Sequence, residues 1–543
     1  MVNRGRSQGC TTCRQRRVKC DEAKPECGAC QRLGLYCGGY KTRPVNIRFK
    51  DQTVRFSNVI AARETEAIPR PRQLKSLDNA VNFYLDHYVN VGRRMESARG
   101  FFEVLIPVYS AERQNSALSL AVSAVASEIL NLWRYGPASL SSSCEPYSKA
   151  VMALRGAIQD PVQQTKPATV LAILTMQWYE NIAAIFGHRS ATPTHHAGAL
   201  SLLPFMESDN GSKDQTTVAS IRRFIAHAEV SSATRQKRPV NDAILSCISR
   251  GGLLSAPQNP SASLDAIGAT VAALRARYAQ NLSALSDTLG DLAAEAKAID
   301  QQLLTWSWSV PEHWKPRKIT SGQDFDLSIP AYRSTCEVYP SSQIANIWNM
   351  WRVHRILLFK IVFESLHREP QVENLVGYEQ IFQELVDAIC YSVPFYLGNR
   401  VRPMHITDFD DCSISLCGHS IPSQDSQGRS PQSPTSTRMS EDEHRRQVVA
   451  QGPWHLMNPL SRLLTLLAED DNHHLTGILR SGQHKWIRQQ FQRVTTLLRL
   501  SPPDQHSAGK STTLNSPDPA SLNTTADDLA GLVRRGGMFM SGP

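Results

Sequence analysis

Six cysteines within residues 10–37 decide what the N-terminal end of this chain can be. Cys10, Cys13, Cys20, Cys27, Cys30 and Cys37 form C-x2-C-x6-C twice, the second copy offset by 17 residues. The other cysteines (Cys144, Cys247, Cys336, Cys390, Cys412, Cys417) are scattered and make no C-x-x-C. A secreted disulfide scaffold would be short and cysteine-rich throughout, unlike a chain of 543 residues with 12 cysteines. The opening MVNRGRSQGC has no apolar core of the kind a signal peptide needs. No apolar run reaches the ~18–20 residues of a membrane helix. A reducing compartment and no membrane are therefore expected. There the thiolates stay available to a metal, and Zn²⁺ prefers four of them in a tetrahedron at ~2.3 Å. Six ligands are too many for one such ion and too few for two separate ones. The count closes if two thiolates bridge, which predicts two zinc ions held by all six cysteines.

Charge is concentrated on the same segment. The chain carries 59 Lys+Arg against 49 Asp+Glu, a net charge of +10. Residues 1–50 hold 12 of those cations and only three acids, so the remaining residues carry 47 against 46. A small cationic head on a nearly neutral body points to a polyanionic partner at one end. Within the head the charge is again uneven. Arg14, Arg16, Arg17 and Lys19 crowd the first C-x2-C-x6-C, whereas the second holds only Arg32. Two zinc ions and six thiolates leave two formal negative charges, so some cations belong beside the cluster for that reason alone. That argument does not explain why one half is basic and the other is not.

The segment CTTCRQRRVKCDEAKPECGACQRLGLYC resembles the fungal binuclear zinc-cluster (Zn2Cys6) DNA-binding domain. The six cysteines, the basic run, Asp21 and Pro25 all match its pattern. The resemblance implies that Cys10 and Cys27 bridge the two ions and that each half opens with a short helix. It further implies that Arg16 and Arg17 approach bases in the major groove of double-stranded DNA, at CGG-like triplets, where cationic side chains reach guanine O6 and N7. Arg14, Lys19 and the flanking Arg4 and Arg6 then suit phosphates. Arg17 departs from the family's usual lysine, which keeps the charge but changes a point donor into a fork.

Beyond the head, residues 38–76 are polar and basic, with Pro69 and Pro71, and read as a linker after a basic arm at 1–9. From about Leu77 apolar residues recur every three or four positions, as in Leu118, Val122, Val125, Ile129 and Leu132, or Tyr147, Val151, Leu154 and Ile158. The body, 77–419 continuing at 448–500, is expected to be all-α. Further helices are expected at 168–186, after a cap at Ser341/Ser342, at Ile381–Tyr391 ended by Pro394, at Trp454–Leu467 and at Trp486–Leu500. The 4-3 spacing from Ile267 to Trp306 suits either a long helix or a helix pair broken near Gly290 and packed within its own domain, or a coiled-coil seam for a homodimer. Residues 420–447 are Ser/Pro/Gln-rich and, like 501–543, read as disordered.

The body carries no catalytic motif. Ala508-Gly-Lys-Ser511 imitates the end of a phosphate-binding loop, but Asp504 replaces its first glycine. The pairs His195-His196 and His473-His474 lack a second ligand pair at helical spacing. The stretches at 195–203, Ile347-Trp-Asn-Met-Trp-Arg352, Ser392–Gly398 and Gly452-Pro-Trp-His-Leu456 look like landmarks of the helical regulatory domain that follows the cluster in fungal transcription factors. The expected protein is therefore a nuclear, sequence-specific regulator of RNA polymerase II transcription, not an enzyme. It would control metabolic genes, a secondary-metabolite cluster among the candidates. The alternative is a co-regulator scaffold whose cluster contacts other proteins.

Overall fold

The computed structural model describes residues 9–39, 80–90, 101–137, 145–186, 194–206, 212–249, 259–280, 289–368, 375–419, 439–470 and 473–500. The chain divides into two units, residues 1–73 and 74–543. Arg4 and Arg6, most of the expected linker, residues 420–438 and the tail with Ala508–Ser511 lie outside the described residues.

In the first unit two helices stand in pseudo-repeat, α1 at Thr11–Gln15 and α2 at Gly28–Gln31. Neither has an apolar face: the buried cluster here consists of Cys10, Cys13, Cys27, Cys30 and Cys37, with Cys20 and Ala29 against it. Residues beyond Cys37 are tied back to the first helix, since Gly39 O accepts from Thr11 N at 3.0 Å and Gly38 N donates to Thr12 Oγ1 at 2.9 Å.

Helices make up nearly all of the described second unit, in agreement with the periodicity. Helices Ala117–Tyr135, Glu145–Gln159 and Pro167–Phe186 pack together. Pro260–Gln280 and Leu289–Ser309 pack on each other and on Ser342–Arg368. Val271, Leu274, Ala296, Ile299, Leu303 and Trp306 are thereby buried inside the unit. The seam is used internally, which resolves the Ile267–Trp306 pattern as a packed helix pair. One addition to the all-α expectation is a pair of four-residue antiparallel strands, β1 at Arg317–Thr320 and β2 at Thr335–Val338. They are too short for alternation to register in the sequence.

Two expected boundaries move. Helix Leu375–Leu397 runs through Pro394 and ends beyond it. Proline removes one backbone donor and usually ends a helix, but Phe395, Tyr396 and Leu397 are all buried, and that burial outweighs the lost bond. The stretch expected to be disordered to residue 447 is helical from Glu441. Ser440 caps that helix by accepting from Glu443 N at 3.2 Å, and Glu441, Asp442 and Glu443 lie at its positive end. Among the described residues no helix is long and apolar enough to cross a membrane.

Buried side chains with specific polar partners join the helices of the body. Trp348 Nε1 donates to Trp314 O (2.8 Å), Trp351 Nε1 to Leu303 O (2.7 Å) and Trp306 Nε1 to Pro260 O (2.8 Å), so each indole buries its ring without leaving its N–H unpaired. Gly452 faces Tyr396 O so closely that a Cβ would sit 2.0 Å from that oxygen, and only glycine allows the two helices to approach there. Glu337 on β2 and Arg352 on helix 342–368 form a buried ion pair at 2.6 Å. Tyr339 Oη donates to Glu337, while Arg352 donates to Tyr339 Oη and to Asn349 Oδ1. Asn349 Nδ2 in turn reaches Ser392 Oγ on the next helix.

Removing one member of such a pair leaves a buried charge uncompensated. Glu337→Ala should cost ~3–5 kcal/mol, seen as a lowered melting temperature of the full chain by circular dichroism. Glu337→Leu/Arg352→Met should recover most of that loss. A double variant no better than the single one would show that the ion pair itself stabilises the fold.

Candidate metal centre and nucleic-acid interface

Each half of the head begins with a cysteine acting as a helix cap. Cys10 Sγ accepts from Cys13 N at 3.3 Å at the start of α1, and Cys27 Sγ accepts from Cys30 N at 3.4 Å at the start of α2. A sulfur in that position satisfies a backbone donor that would otherwise be orphaned. It also brings the second cysteine of each C-x-x-C onto the same side as the first.

The six sulfurs converge into two groups of four, Cys10, Cys13, Cys20 and Cys27, and Cys10, Cys27, Cys30 and Cys37. Cys10 and Cys27 belong to both. Their sulfurs are 3.6 Å apart, Cys13 and Cys27 also 3.6 Å, and Cys10 and Cys30 3.8 Å. Those separations are far too long for a disulfide and match the ~3.8 Å edge of a tetrahedron with ~2.3 Å zinc–sulfur bonds. All six are free thiols.

The donor set demands cations. Burial and the neighbouring Cys10 sulfur push the Cys13 thiol up to about 12, whereas the Cys10 N–H directed at Cys20 Sγ (3.4 Å) draws that thiol down to about 7. So many thiolates in contact cannot all ionise without positive charge between them, and two zinc ions supply it. The residues fit the metal: Cys13 and Cys20 would complete one ion, Cys30 and Cys37 the other, with Cys10 and Cys27 shared. Bound zinc supplies structural cross-linking, since there is no apolar core here to do so.

The two halves also end alike. After α1, Arg17 adopts a left-handed conformation (φ 55°), with Val18 N bonded to Cys13 O and Arg17 N to Arg14 O. After α2, Gly34 (φ 62°) takes the same place, with Leu35 N bonded to Cys30 O and Gly34 N to Gln31 O. This is the Schellman termination, which favours glycine. The first half puts arginine where the second puts glycine, at a cost of roughly 1–2 kcal/mol. Asp21 links the halves, its carboxylate accepting from Gly28 N at 3.1 Å.

Arg14, Arg16, Arg17 and Lys19 are all exposed on the first half. The second half exposes Leu33, Leu35 and Tyr36 instead. Sequence reasoning passed over Thr11, Thr12 and the left-handed Arg17. Only the repeat alignment of Arg17 with Gly34 carried a signal for the last. The histidine pairs have structural employment. His196 is buried with Nε2 2.9 Å from Glu229, which Arg238 also holds, and His474 stacks on His367 with ring centroids 3.8 Å apart. Among the described residues the two cysteine groups are the only His/Cys/Asp/Glu clusters with converging ligand atoms.

Comparison with known proteins agrees with this geometry. Residues 8–46 match the model of the fungal Zn(2)-Cys(6) binuclear cluster domain, so the six-cysteine head is a two-zinc domain. A pestheic acid cluster transcriptional regulator of Pestalotiopsis fici is 58% identical over 45 residues, 8% of either chain. An aspercryptin biosynthesis cluster-specific transcription regulator of Emericella nidulans is 62% identical over 37 residues, 7% of this chain and 6% of its own. The transcription factor dbaG of Emericella nidulans is 27% identical over 115 residues, 20% of this chain and 27% of its own. The matches thus span less than a third of these relatives, which are named as regulators rather than as enzymes. No solved structure matches.

Sharing makes the ligands unequal. Full-length protein should contain two zinc ions per chain by plasma emission spectrometry. Cys10→Ser or Cys27→Ser, each touching both sites, should lower the content below one, while Cys20→Ser should retain close to one. Equal losses from all three variants would count against shared ligation.

Proposed function

We propose that the chain is a nuclear, sequence-specific DNA-binding transcription factor whose zinc-organised head reads CGG-like triplets and whose helical body regulates output. Arg16 and Arg17 are assigned to base edges, and Arg14, Lys19, Arg4 and Arg6 to phosphates. The observation that carries the reading is the inequality of two halves built alike. Both end in the same left-handed turn, yet the basic half keeps arginine in it at a conformational cost. A structural cation beside a negative cluster does not need that backbone position. A forked donor aimed at guanine O6 and N7 does benefit from being fixed by the turn rather than carried on a fraying helix end.

The names of the relatives support a metabolic output, since two of them are regulators of biosynthetic clusters. We therefore place this chain's targets among secondary-metabolite genes. The exposed Leu33, Leu35 and Tyr36 of the second half favour one further role, contact with a co-regulator protein beside the DNA.

Fluorescence anisotropy with full-length, zinc-loaded protein tests the assignment. At physiological salt the chain should prefer a CGG-containing duplex to a scrambled one. Arg17→Ala should lose ~1–3 kcal/mol on the first and little on the second, whereas Lys19→Ala should weaken both alike and reduce the salt slope by about one. Arg17→Gly should hold or raise the melting temperature of the head, since glycine relieves the left-handed turn, while losing the preference. Two variants that weaken every duplex equally would overturn the base-reading role.

A further inference from the structure

The body holds a cavity of about 400 Å³ that the zinc head's chemistry does not use. Its volume lies in the range of small-molecule sites. Its floor is apolar: Val338 and Tyr339 from β2 and the residue following it, Phe395 from helix 375–397, and Met439 are all buried. Its rim carries an excess of positive charge, Arg317 and Lys315 against Glu312. Arg317, directly across the ladder from Val338, is exposed and has no carboxylate partner among the described residues, while Lys315 is paired with Glu312 at 2.5 Å.

Histidines complete the polar side. His444 is fully buried, with Nε2 2.9 Å from Phe395 O, so that nitrogen donates and Nδ1 accepts. His419 Nε2, 3.1 Å away, is therefore the donor to His444 Nδ1. That bond spends the His419 Nε2 proton on His444, so the two histidines order the polar wall and the attraction for an anion is left to the rim cations.

The floor is held rigid from behind. Tyr339, one of the lining residues, has its hydroxyl tied into the buried Glu337–Arg352 pair, and Phe395 is fixed by its carbonyl bond to His444. Side chains locked in this way give a preformed rather than an induced site, which lowers the entropic cost of binding.

We infer that this cavity is a binding site for an amphipathic organic acid. Its flat apolar body would lie on Phe395, Tyr339, Val338 and Met439, and its carboxylate would face Arg317, beside the Lys315–Glu312 pair. A neutral ligand would leave the Arg317 charge without a counterpart, and a cationic one would be repelled by it. The inference goes beyond the DNA-binding reading and does not depend on it, since it is tested on the body's own binding.

Isothermal titration of the full chain with 2-naphthoate, and with the neutral 2-naphthamide as its control, provides that test. One saturable site is expected for the carboxylate, with the amide at least tenfold weaker. Arg317→Glu should weaken 2-naphthoate at least tenfold at an unchanged melting temperature, and Arg317→Lys should restore most of the affinity. Absence of saturation at millimolar 2-naphthoate would overturn the site. So would equal affinity for the amide, or binding that Arg317→Glu leaves intact.

Discussion

Two sulfur atoms common to two converging groups of four are the constraint on which the head depends. Cys10 and Cys27 each belong to both groups of four, and each also caps the helix that follows it. A segment this small cannot bury enough apolar surface to offset its chain entropy, and its interior indeed contains almost nothing but cysteine. Metal coordination therefore takes the place of a hydrophobic core. Helix starts, loop lengths and the 17-residue repeat all follow from bringing sulfur to common points. The threonines and Asp21 then tie the ends of the two halves to each other through backbone groups.

A scaffold that is twofold in construction leaves its surfaces free to differ. The metal needs the same sulfur geometry from both halves, but it places no demand on the exposed faces of α1 and α2. One face became basic and the other became mixed, with Leu33, Leu35 and Tyr36 outward. Arg17 is where the two demands meet. The backbone turn is a requirement of the scaffold, satisfied without cost by Gly34 in one copy, and the side chain is a requirement of whatever the basic face touches. A cluster that carries net negative charge also neutralises part of the head's cationic excess. The four exposed cations of the first half thus describe its potential toward a polyanion better than the chain's +10 does.

How much of this was legible in the sequence depended on whether the signal was local. Cysteine spacing fixed the metal centre because each ligand is set by its own position in the chain. Helix periodicity located Ala117–Tyr135, Pro167–Phe186 and Gly452–Ala468 closely, since an amphipathic stripe repeats over many turns. Pro394 misled because proline's local penalty was weighed without the burial of Phe395–Leu397 that outweighs it. The helix at Glu441 was hidden by the low-complexity composition before it, although Ser440 and Glu443 spell a cap. The β1–β2 pair, four residues on each side, was too short to show alternation.

The cavity in the body was not legible for a different reason. Its residues come from Lys315 and Arg317, from Val338 and Tyr339, from Phe395, and from His419 and His444, separated by tens of residues with no spacing rule between them. Each has a bland explanation when read alone: a surface cation, a strand residue, a helix aromatic, a histidine near a loop. Only folding reveals that Arg317, without a carboxylate partner among the described residues, stands beside an apolar floor, which no single-residue argument would place together. The same contrast separates the two units. The head's chemistry is written in the order of its residues because metal ligands must be spaced to meet. The body's chemistry is written in the packing of distant helices, where Glu337, Arg352 and Asn349 connect β2 to two helices before any of them reaches the cavity wall.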